Sequence, residues 1–180
     1  MFPTLETERL RLREITLYDR EDLFDYLSNE DVIKYYGQEA FVALTQAEAL
    51  IDFFANNFRE NKGVRWGIER KEEQGLIGTV GFHALSVKHR RAEIGYEIHP
   101  DYWRKGYASE AVISILQYGF DVLDLTRIGA VVFTKNDASY QLLEKLGFEK
   151  EGVLRDYMVQ NGIAHDTYVY SLLKNSLPSF

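Results

Sequence analysis

The sequence predicts a mixed α/β (α+β) fold, with one largely antiparallel central sheet of about seven strands flanked by helices. The hydrophobic period changes several times between two residues, typical of strands, and three to four residues, typical of helices. The segments come in the order strand, two or three helices, three strands, helix, strand, helix and two strands, which suits one sheet covered by helices. No linker or repeat divides the chain, so we expect residues 1–180 to form one domain.

The N-terminal third begins with near-alternation of apolar and charged residues and then becomes helical. Thr45 is followed three residues later by Glu48, a capping-box spacing that predicts a helix start at Thr45. Gly37 ends the short segment before it. The predicted elements are a strand around Leu10–Ile15, a helix over Asp19–Leu27, a short helix or turn over Asp31–Tyr36, and a helix from Thr45 to about Glu60.

The remaining two thirds combine strands with two helices. Pro100 ends a strand, and the continuous apolar run Ala130–Phe133 indicates a strand buried on both faces. Asn161-Gly162 is a strong signal for a two-residue hairpin turn. The predicted strands are Arg65–Arg70, Leu76–Leu85, Glu93–His99, Arg127–Thr134, Gly152–Gln160 and Ile163–Leu173, and the predicted helices are Gly106–Leu123 and Ala138–Leu146.

Composition excludes several classes of protein. The chain has 28 acidic and 21 basic residues and a net charge of −7, so its average charge does not provide the basic field on which non-specific nucleic-acid binding depends, and a local basic patch stays open. It has no cysteine, which rules out disulfide scaffolds and thiolate metal sites. The four histidines share no metal-ligand spacing, so we predict no metal. No leader peptide or long apolar run is present, so we expect a cytoplasmic protein with no membrane or nucleic-acid partner.

The segment Pro100–Ala111 carries the strongest functional signal. A strand ends, a short basic loop with Arg104 and Lys105 follows, and Gly106 begins a long amphipathic helix. The free N–H groups and the positive dipole at a helix start favour an anion, and small residues let a diphosphate approach the backbone. The chain has neither a Gly-x4-Gly-Lys loop nor Gly-x-Gly-x-x-Gly after its first strand, which argues against nucleotide hydrolases and dinucleotide dehydrogenases. A purely structural loop in an unrelated α/β domain would show the same local pattern, so this alternative stays open.

These residues resemble the acetyl-CoA loop of the GNAT superfamily of N-acetyltransferases, whose pattern is Gln/Arg-x-x-Gly-x-Gly/Ala. Gly106-Tyr107-Ala108 matches its second half, and Trp103 stands where Gln or Arg is usual. That departure resembles the branch of ribosomal-protein alanine/serine N-acetyltransferases, although Arg104 replaces a glycine of that branch. Further segments are similar to this branch in the same order along the chain. They are Thr7–Arg13, Ile77–Phe82, Ala92–Ile98, Asn136–Ser139 with Glu144–Phe148, and Asn161-Gly162 with Tyr170–Leu173.

The resemblance implies acetyl-CoA as co-substrate. In this fold, the strands that correspond to Glu93–His99 and Arg127–Thr134 splay apart, and the pantetheine arm pairs with the backbone of the first. The loop that follows would hold the diphosphate, and Asn136 would bond the pantetheine or fix its loop. The residues implied for the cofactor are Tyr96, Ile98, Trp103, Arg104, Lys105, Gly106, Tyr107, Ala108, Ser109, Asn136 and Ser139.

The resemblance also implies direct attack of a primary amine on the acetyl thioester in a ternary complex. The amine must first lose a proton, and Glu93 or Glu97 is the candidate base. The tyrosine that many relatives carry four residues before the Gly of the Leu-Gly-Phe turn is replaced by Leu143. Ser139, with Tyr140 as the alternative, is therefore the candidate acid for the leaving thiolate.

Aromatic residues of the early helices and middle strands fall where this fold builds its acceptor groove. The candidate acceptor residues are Tyr35, Tyr36, Trp66, Phe82 and His83. The expected acceptor is a protein α-amino terminus, and the alternative acceptor is a small amine such as a polyamine or an aminoglycoside. A different alternative for the whole chain is a non-catalytic acyl-CoA-binding module. The pattern leaves open whether the chain is a monomer or a homodimer.

Overall fold

Eight strands form one sheet in the order β1-β2-β3-β4-β5-β6-β8-β7 in the computed structural model, which describes residues 1–180. The strands are β1 Leu5–Glu6, β2 Leu10–Arg13, β3 Val64–Arg70, β4 Glu73–Ser86, β5 Arg91–Ile98, β6 Arg127–Phe133, β7 Glu149–Gln160 and β8 Ile163–Leu173. The helices are α1 Arg20–Leu27, α2 Glu30–Ile33, α3 Leu44–Arg59, α4 Tyr107–Asp121 and α5 Asp137–Lys145. The predicted mixed α/β fold is confirmed.

All strand pairs are antiparallel except β5 with β6, which run parallel. A parallel neighbour needs a crossover connection, and α4 provides it. This helix has a continuous buried stripe because its apolar residues recur at three-to-four spacing. The stripe packs on the main core of the sheet and consists of Ala111, Val112, Ile115, Leu116, Gly119 and Phe120.

A smaller core lies between the sheet and the N-terminal helices α1, α2 and α3. It buries apolar residues of α1 and α3 against Ile15 and Leu76. The sheet therefore separates two different surroundings. Side chains on one face meet α4, and those on the other meet the N-terminal helices.

Two details of the elements differ from the sequence prediction. The sheet has eight strands rather than about seven because Leu5–Glu6 pairs with β2. The predicted capping box of Thr45 and Glu48 is wrong, since α3 begins at Leu44 and the side-chain oxygen of Gln46 accepts the N–H groups of Val42 and Ala43. Glu48 instead pairs with Arg20 of α1 at 2.9 Å.

Candidate active site

A gap opens in the sheet between β5 and β6. The two strands are paired at three positions, Arg91–Glu93 with Arg127–Gly129, and no pair follows. His99 donates its N–H to the carbonyl of Ile77 on β4 at 2.7 Å. Because neighbouring residues of an antiparallel strand point their backbone groups to opposite sides, those of Tyr96 and Ile98 face the gap. The splayed strands expected from the family resemblance are present.

The loop after β5 is shaped by Trp103 and Gly106. The indole N–H of Trp103 donates to the carbonyl of Ile98 at 2.6 Å. Of the two backbone groups of Ile98 that face the gap, the carbonyl is therefore occupied and the N–H is free. Gly106 is the N-cap of α4 with φ +80°, and Arg104 has φ +59°. Left-handed residues at these positions turn the chain sharply, so the first N–H groups of α4 open toward the loop. Arg104 and Lys105 are exposed.

The first turn of α4 is tied to the β1–β2 connection. The carboxylate of Glu110 accepts the Thr7 hydroxyl at 2.6 Å and the Arg9 backbone N–H at 2.9 Å, and Arg9 also pairs with it through its guanidinium. Arg9 donates to the carbonyl of Lys105 at 2.9 Å and lies over the buried ring of Tyr107. Burial works to raise the pKa of Glu110, but these hydrogen bonds outweigh it and hold the pKa below its usual value.

Tyr96 and Ser139 meet across the gap. Asn136 caps α5 by accepting the Ser139 N–H at 3.3 Å, so the Ser139 hydroxyl is free to contact the phenol of Tyr96 at 2.9 Å. Burial raises the pKa of Tyr96 to about 12, although the hydrogen bond to Ser139 acts in the opposite direction. The pair joins β5 to α5 at the place where β5 has lost its partner strand.

Tyr140, the alternative acid, makes its contacts with other residues. Its hydroxyl donates to the carboxylate of Asp137 at 2.8 Å, and its ring packs edge-on against Tyr168. Leu143, in the position where many relatives carry a tyrosine, is buried in the main core. Of the residues proposed to assist the leaving group, the structure brings Ser139 to the gap, together with Tyr96, which the sequence assigned to the cofactor.

The two candidate bases have different surroundings although they share one face of β5. Glu93 sits at the last pair before the gap, with its side chain 33% exposed and 3.3 Å from Nε2 of His83. That hydrogen bond lowers the pKa of Glu93 despite partial burial. Glu97 is 5% exposed, pairs with Arg65 at 2.5 Å and accepts the hydroxyl of Thr79.

The surroundings of Arg65 form a charged cluster on the face that packs toward the N-terminal helices. Burial works to lower the pKa of Arg65, but the negative charge of Glu97 and the nearby phenols outweigh it and raise the pKa. Burial, and then the charge of Glu97, raise the pKa of Tyr36 and Tyr26 well above the usual tyrosine value. The buried charge of Arg65 is therefore balanced by the buried charge of Glu97.

The candidate acceptor residues divide into two groups. The structure places Trp66 and Phe82 in the main core, on the α4 face, and the indole N–H of Trp66 donates to the Pro3 carbonyl at 2.8 Å. Neither side chain has the exposure that lining a groove requires. Tyr36 and His83 lie instead on the opposite face, beside Arg65 and Glu93. Tyr35 is near Phe133 of β6, with ring centroids 6.2 Å apart.

A buried glutamine holds the segment that carries Tyr35 and Tyr36. Gln160, the last residue of β7, is 4% exposed. Its amide nitrogen donates to the carbonyl of Ile33 at 2.8 Å, and its oxygen accepts the Gly37 N–H at 3.0 Å. Both bonds fix backbone groups on either side of the tyrosines. Sequence reasoning missed Gln160 because no local pattern links residues so far apart in the chain.

Arg65, Thr79, Arg9 and Glu110 were also missed. For Arg65 a signal existed, since it is a charged residue between buried neighbours on β3 and the facing strands carry glycine at the paired positions 81 and 95. Among the described residues, which span the whole chain, no group of three or more His, Asp or Glu side chains could hold a metal ion. No helix has the length and apolar character needed to span a membrane.

Comparison with known proteins identifies the family. The sequence model of the GNAT acetyltransferase domain matches residues 9–149. The chain is 58% identical to an uncharacterized N-acetyltransferase, YoaA, of Bacillus subtilis (strain 168), over 97% of this chain and 98% of that protein. The chain belongs to the GNAT family of acetyltransferases, and it is an acetyl-CoA-dependent N-acetyltransferase.

More distant relatives have different named acceptors. The chain is 29% identical to the putative ribosomal N-acetyltransferase YdaF of Bacillus subtilis (strain 168), over 91% of this chain and 85% of that protein. It is also 29% identical to spermidine N(1)-acetyltransferase of Escherichia coli (strain K12), over 85% of this chain and 80% of that protein.

Solved structures show the same fold. A GNAT-family acetyltransferase from Bacillus anthracis is 29% identical with a TM-score of 0.84, covering 96% of this chain and 99% of that one. The spermidine N-acetyltransferase of Vibrio cholerae, solved in complex with CoA and spermine, is 26% identical with a TM-score of 0.83, covering 94% of this chain and 98% of that one. The gap, the left-handed Gly106 and the basic loop fit the acetyl-CoA that this family uses.

Proposed function

We propose that the acceptor is the α-amino group of a peptide or protein. The observation that carries this proposal is the pairing of the carboxylates beside the gap. Glu97 is neutralised by Arg65 and bonded to Thr79, and Glu93 contacts His83. A polyamine carries several positive charges and would gain most from carboxylates without internal partners, whereas an α-amino group carries a single charge that it must lose before it reacts.

The proton affinity of Glu93 supports the same class of acceptor. We propose Glu93 as the base, acting through water, because it lies at the mouth of the gap and is partly exposed. Its lowered pKa keeps it ionised but makes it a weak base. An α-amino group has an ordinary pKa of about 8, against about 10.4 for an alkyl amine such as that of lysine. A weak base is therefore better matched to an α-amino group.

The gap supplies hydrogen-bond donors for the thioester. The N–H groups of Tyr96 and Ile98 face it and would bond the pantetheine, and Gly106 with the start of α4 would hold the diphosphate. When bound, acetyl-CoA supplies an activated acetyl group. Each hydroxyl has one proton, so one member of the Tyr96–Ser139 pair would donate to the other, and the second would donate toward the sulfur. Since a thiol has a pKa of about 8.5 and Tyr96 one of about 12, Tyr96 stabilises a departing thiolate without giving up its proton.

Release of free thiol tests the proposal. The purified protein is incubated with acetyl-CoA and either peptides with free N-termini, the same peptides with blocked N-termini, or spermidine. Mass spectrometry locates the acetyl group. We expect turnover on free N-terminal peptides and a gain of one acetyl group at the α-nitrogen.

Turnover on spermidine with none on any peptide would replace the proposed acceptor by a polyamine. Calorimetric binding of acetyl-CoA without turnover on any amine would favour the non-catalytic alternative.

A further inference from the structure

The side chain of Arg65 crosses the sheet at two glycines. Arg65 of β3 is paired with Gly81 of β4, which is paired with Gly95 of β5. A side-chain carbon at Gly81 would lie 2.9 Å from Cδ of Arg65, and one at Gly95 would lie 2.8 Å from its Nη1. A side chain at Gly81 would also meet backbone atoms of Val64 and Arg65, whereas one at Gly95 would crowd only the movable end of Arg65. The two glycines therefore leave the room in which the arginine crosses from β3 over β4 to β5.

The guanidinium is bonded to the protein at one end and open at the other. Nε donates to the hydroxyl of Thr79 at 2.8 Å, and Nη2 donates to Glu97 at 2.5 Å. Nη1 donates to no protein atom, although a guanidinium has five N–H donors and the Arg65 side chain is 9% exposed. Arg65 borders two cavities of about 100 and about 40 Å³, which also share Phe54.

The open end of Arg65 shares a niche with the candidate base. Measured from the point where a Gly95 side chain would begin, Nη1 of Arg65 is 2.8 Å away and Cε1 of His83 is 3.6 Å away. His83 in turn contacts Glu93 at 3.3 Å. The space above Gly95, here called the niche, is thus bordered by a hydrogen-bond donor, Nη1 of Arg65, and by the His83–Glu93 pair.

We infer that Arg65 Nη1 binds the carbonyl oxygen of the acceptor's first residue, above Gly95. The α-nitrogen and the carbonyl oxygen of one residue are about 3 Å apart, from standard backbone dimensions. A residue whose carbonyl contacts Nη1 therefore presents its amine toward Glu93. Because Glu97 already neutralises Arg65, the guanidinium donates a hydrogen bond without repelling the amine. This inference rests on the proposed function and makes Arg65 and Gly95 specificity residues for acceptors with a carbonyl beside the amine.

Two substrates isolate the carbonyl. One is a short peptide with a free N-terminus, and the other is its (E)-alkene isostere, in which a carbon–carbon double bond replaces the first amide and removes that oxygen. The ratio of kcat/KM for the two is measured in wild type, in Gly95→Ala and in Arg65→Lys. Gly95→Ala places a methyl group in the niche, and Arg65→Lys keeps a cation beside Glu97 but removes Nη1. Arg20→Lys, on the surface of α1, is the matched control.

We expect wild type and Arg20→Lys to prefer the amide over the isostere about tenfold to a hundredfold, the range for a hydrogen bond to a charged group. The amine of the isostere has a higher pKa in every enzyme, so the test is the change in this preference, which should fall about tenfold or more in Gly95→Ala and Arg65→Lys relative to wild type. Thermal unfolding and acetyl-CoA titration report whether each variant is folded. If Arg65→Lys does not fold, Gly95→Ala decides, because its methyl group meets the movable end of a side chain.

A wild-type preference near one, or a preference that folded Gly95→Ala retains, would overturn the inference while the proposed function stands. Absence of turnover on every peptide would overturn the proposed function and the inference with it.

Discussion

The phenol oxygen of Tyr96 lies 2.9 Å from the hydroxyl oxygen of Ser139. The first residue belongs to β5 and the second to α5, and the gap between β5 and β6 separates their elements. The contact places a hydrogen-bonded pair of hydroxyls, with one proton left to donate outward, beside backbone groups that have no strand partner. Under the proposed function, this pair would stabilise the departing thiolate, because hydrogen bonds placed in advance stabilise developing charge.

Removal of either hydroxyl should slow the reaction. We expect Tyr96→Phe and Ser139→Ala each to lower kcat about tenfold to a hundredfold, which is below the roughly hundredfold to thousandfold loss typical for a donor to an oxyanion, because a thiolate is already a fair leaving group. The double variant should lose less than the product of the two, because each hydroxyl orients the other. Free-thiol release measures all three. If the loss in the double variant equals the product of the two single losses, the hydroxyls do not share a role. Because the pKa of Tyr96 is about 12, its ionisation should cause no change in kcat below pH 10.

The two glutamates of β5 should respond differently to the same change. Glu93→Gln should lower kcat/KM about a hundredfold at pH 7, and less at pH 9, where more of the amine is already neutral. Glu97→Gln should lower the free energy of unfolding by about 3 kcal/mol, because it leaves the buried Arg65 without its charge partner. Urea unfolding and pH-dependent kinetics separate the two effects. A Glu93→Gln enzyme with wild-type kcat/KM at pH 7 would exclude Glu93 as the base.

Two substitutions at Gly106, before α4, should have different effects on acetyl-CoA binding. Gly106→Glu should abolish acetyl-CoA binding, because it places an anion where the diphosphate is expected. Gly106→Asn is the control, since asparagine adopts the left-handed conformation observed there more readily than other residues. Calorimetric titration measures both variants. Unchanged affinity in Gly106→Glu would show that the diphosphate lies elsewhere.

Glu110 should contribute stability that depends on pH. Its folded-state pKa is lowered by Thr7 and Arg9, so its contribution is complete above its unfolded-state pKa of about 4.5 and is lost as the pH falls through the lower folded-state value. We expect Glu110→Gln to cost about 1.5–3 kcal/mol at pH 7 and less at pH 3, below the unfolded-state pKa, because the unfolded wild-type chain then binds a proton that the folded carboxylate resists. Denaturant unfolding at both pH values tests this. An equal loss at both would mean that the charge of Glu110 is not what matters.

Gln160 should affect the KM for the acceptor amine and leave the affinity for acetyl-CoA unchanged. Gln160→Leu removes both hydrogen bonds that fix the backbone around Tyr35 and Tyr36, which we expect to cost about 1–3 kcal/mol and to raise the KM for the amine several-fold. The affinity for acetyl-CoA, measured by calorimetry, should not change because Gln160 lies away from the loop at Gly106. Equal weakening of both substrates would point to general loss of structure.

The sequence by itself determined the elements and their order. Alternation and three-to-four spacing placed the strands and helices to within a few residues, Asn161-Gly162 marked the hairpin, and Gly106 marked the start of α4. These predictions succeed because period, turn chemistry and capping depend on neighbours close in the chain. The capping box at Thr45 failed because Gln46 of the same segment caps the helix start.

Only the tertiary structure decided which polar residues meet. Tyr96 and Ser139 are 43 residues apart, and Arg65 and Glu97 are 32 apart. Their contacts depend on the register of strands that pair only after folding, and on glycines at 81 and 95 that make room for one arginine. The same holds for burial, since Trp66 and Tyr36 are both aromatic residues of plausible groove segments. Trp66 lies on β3 and points to the α4 face, since a strand sends alternate side chains to opposite faces, and it is therefore in the main core. Tyr36 follows α2 and packs with the N-terminal helices on the other face, beside the charged cluster.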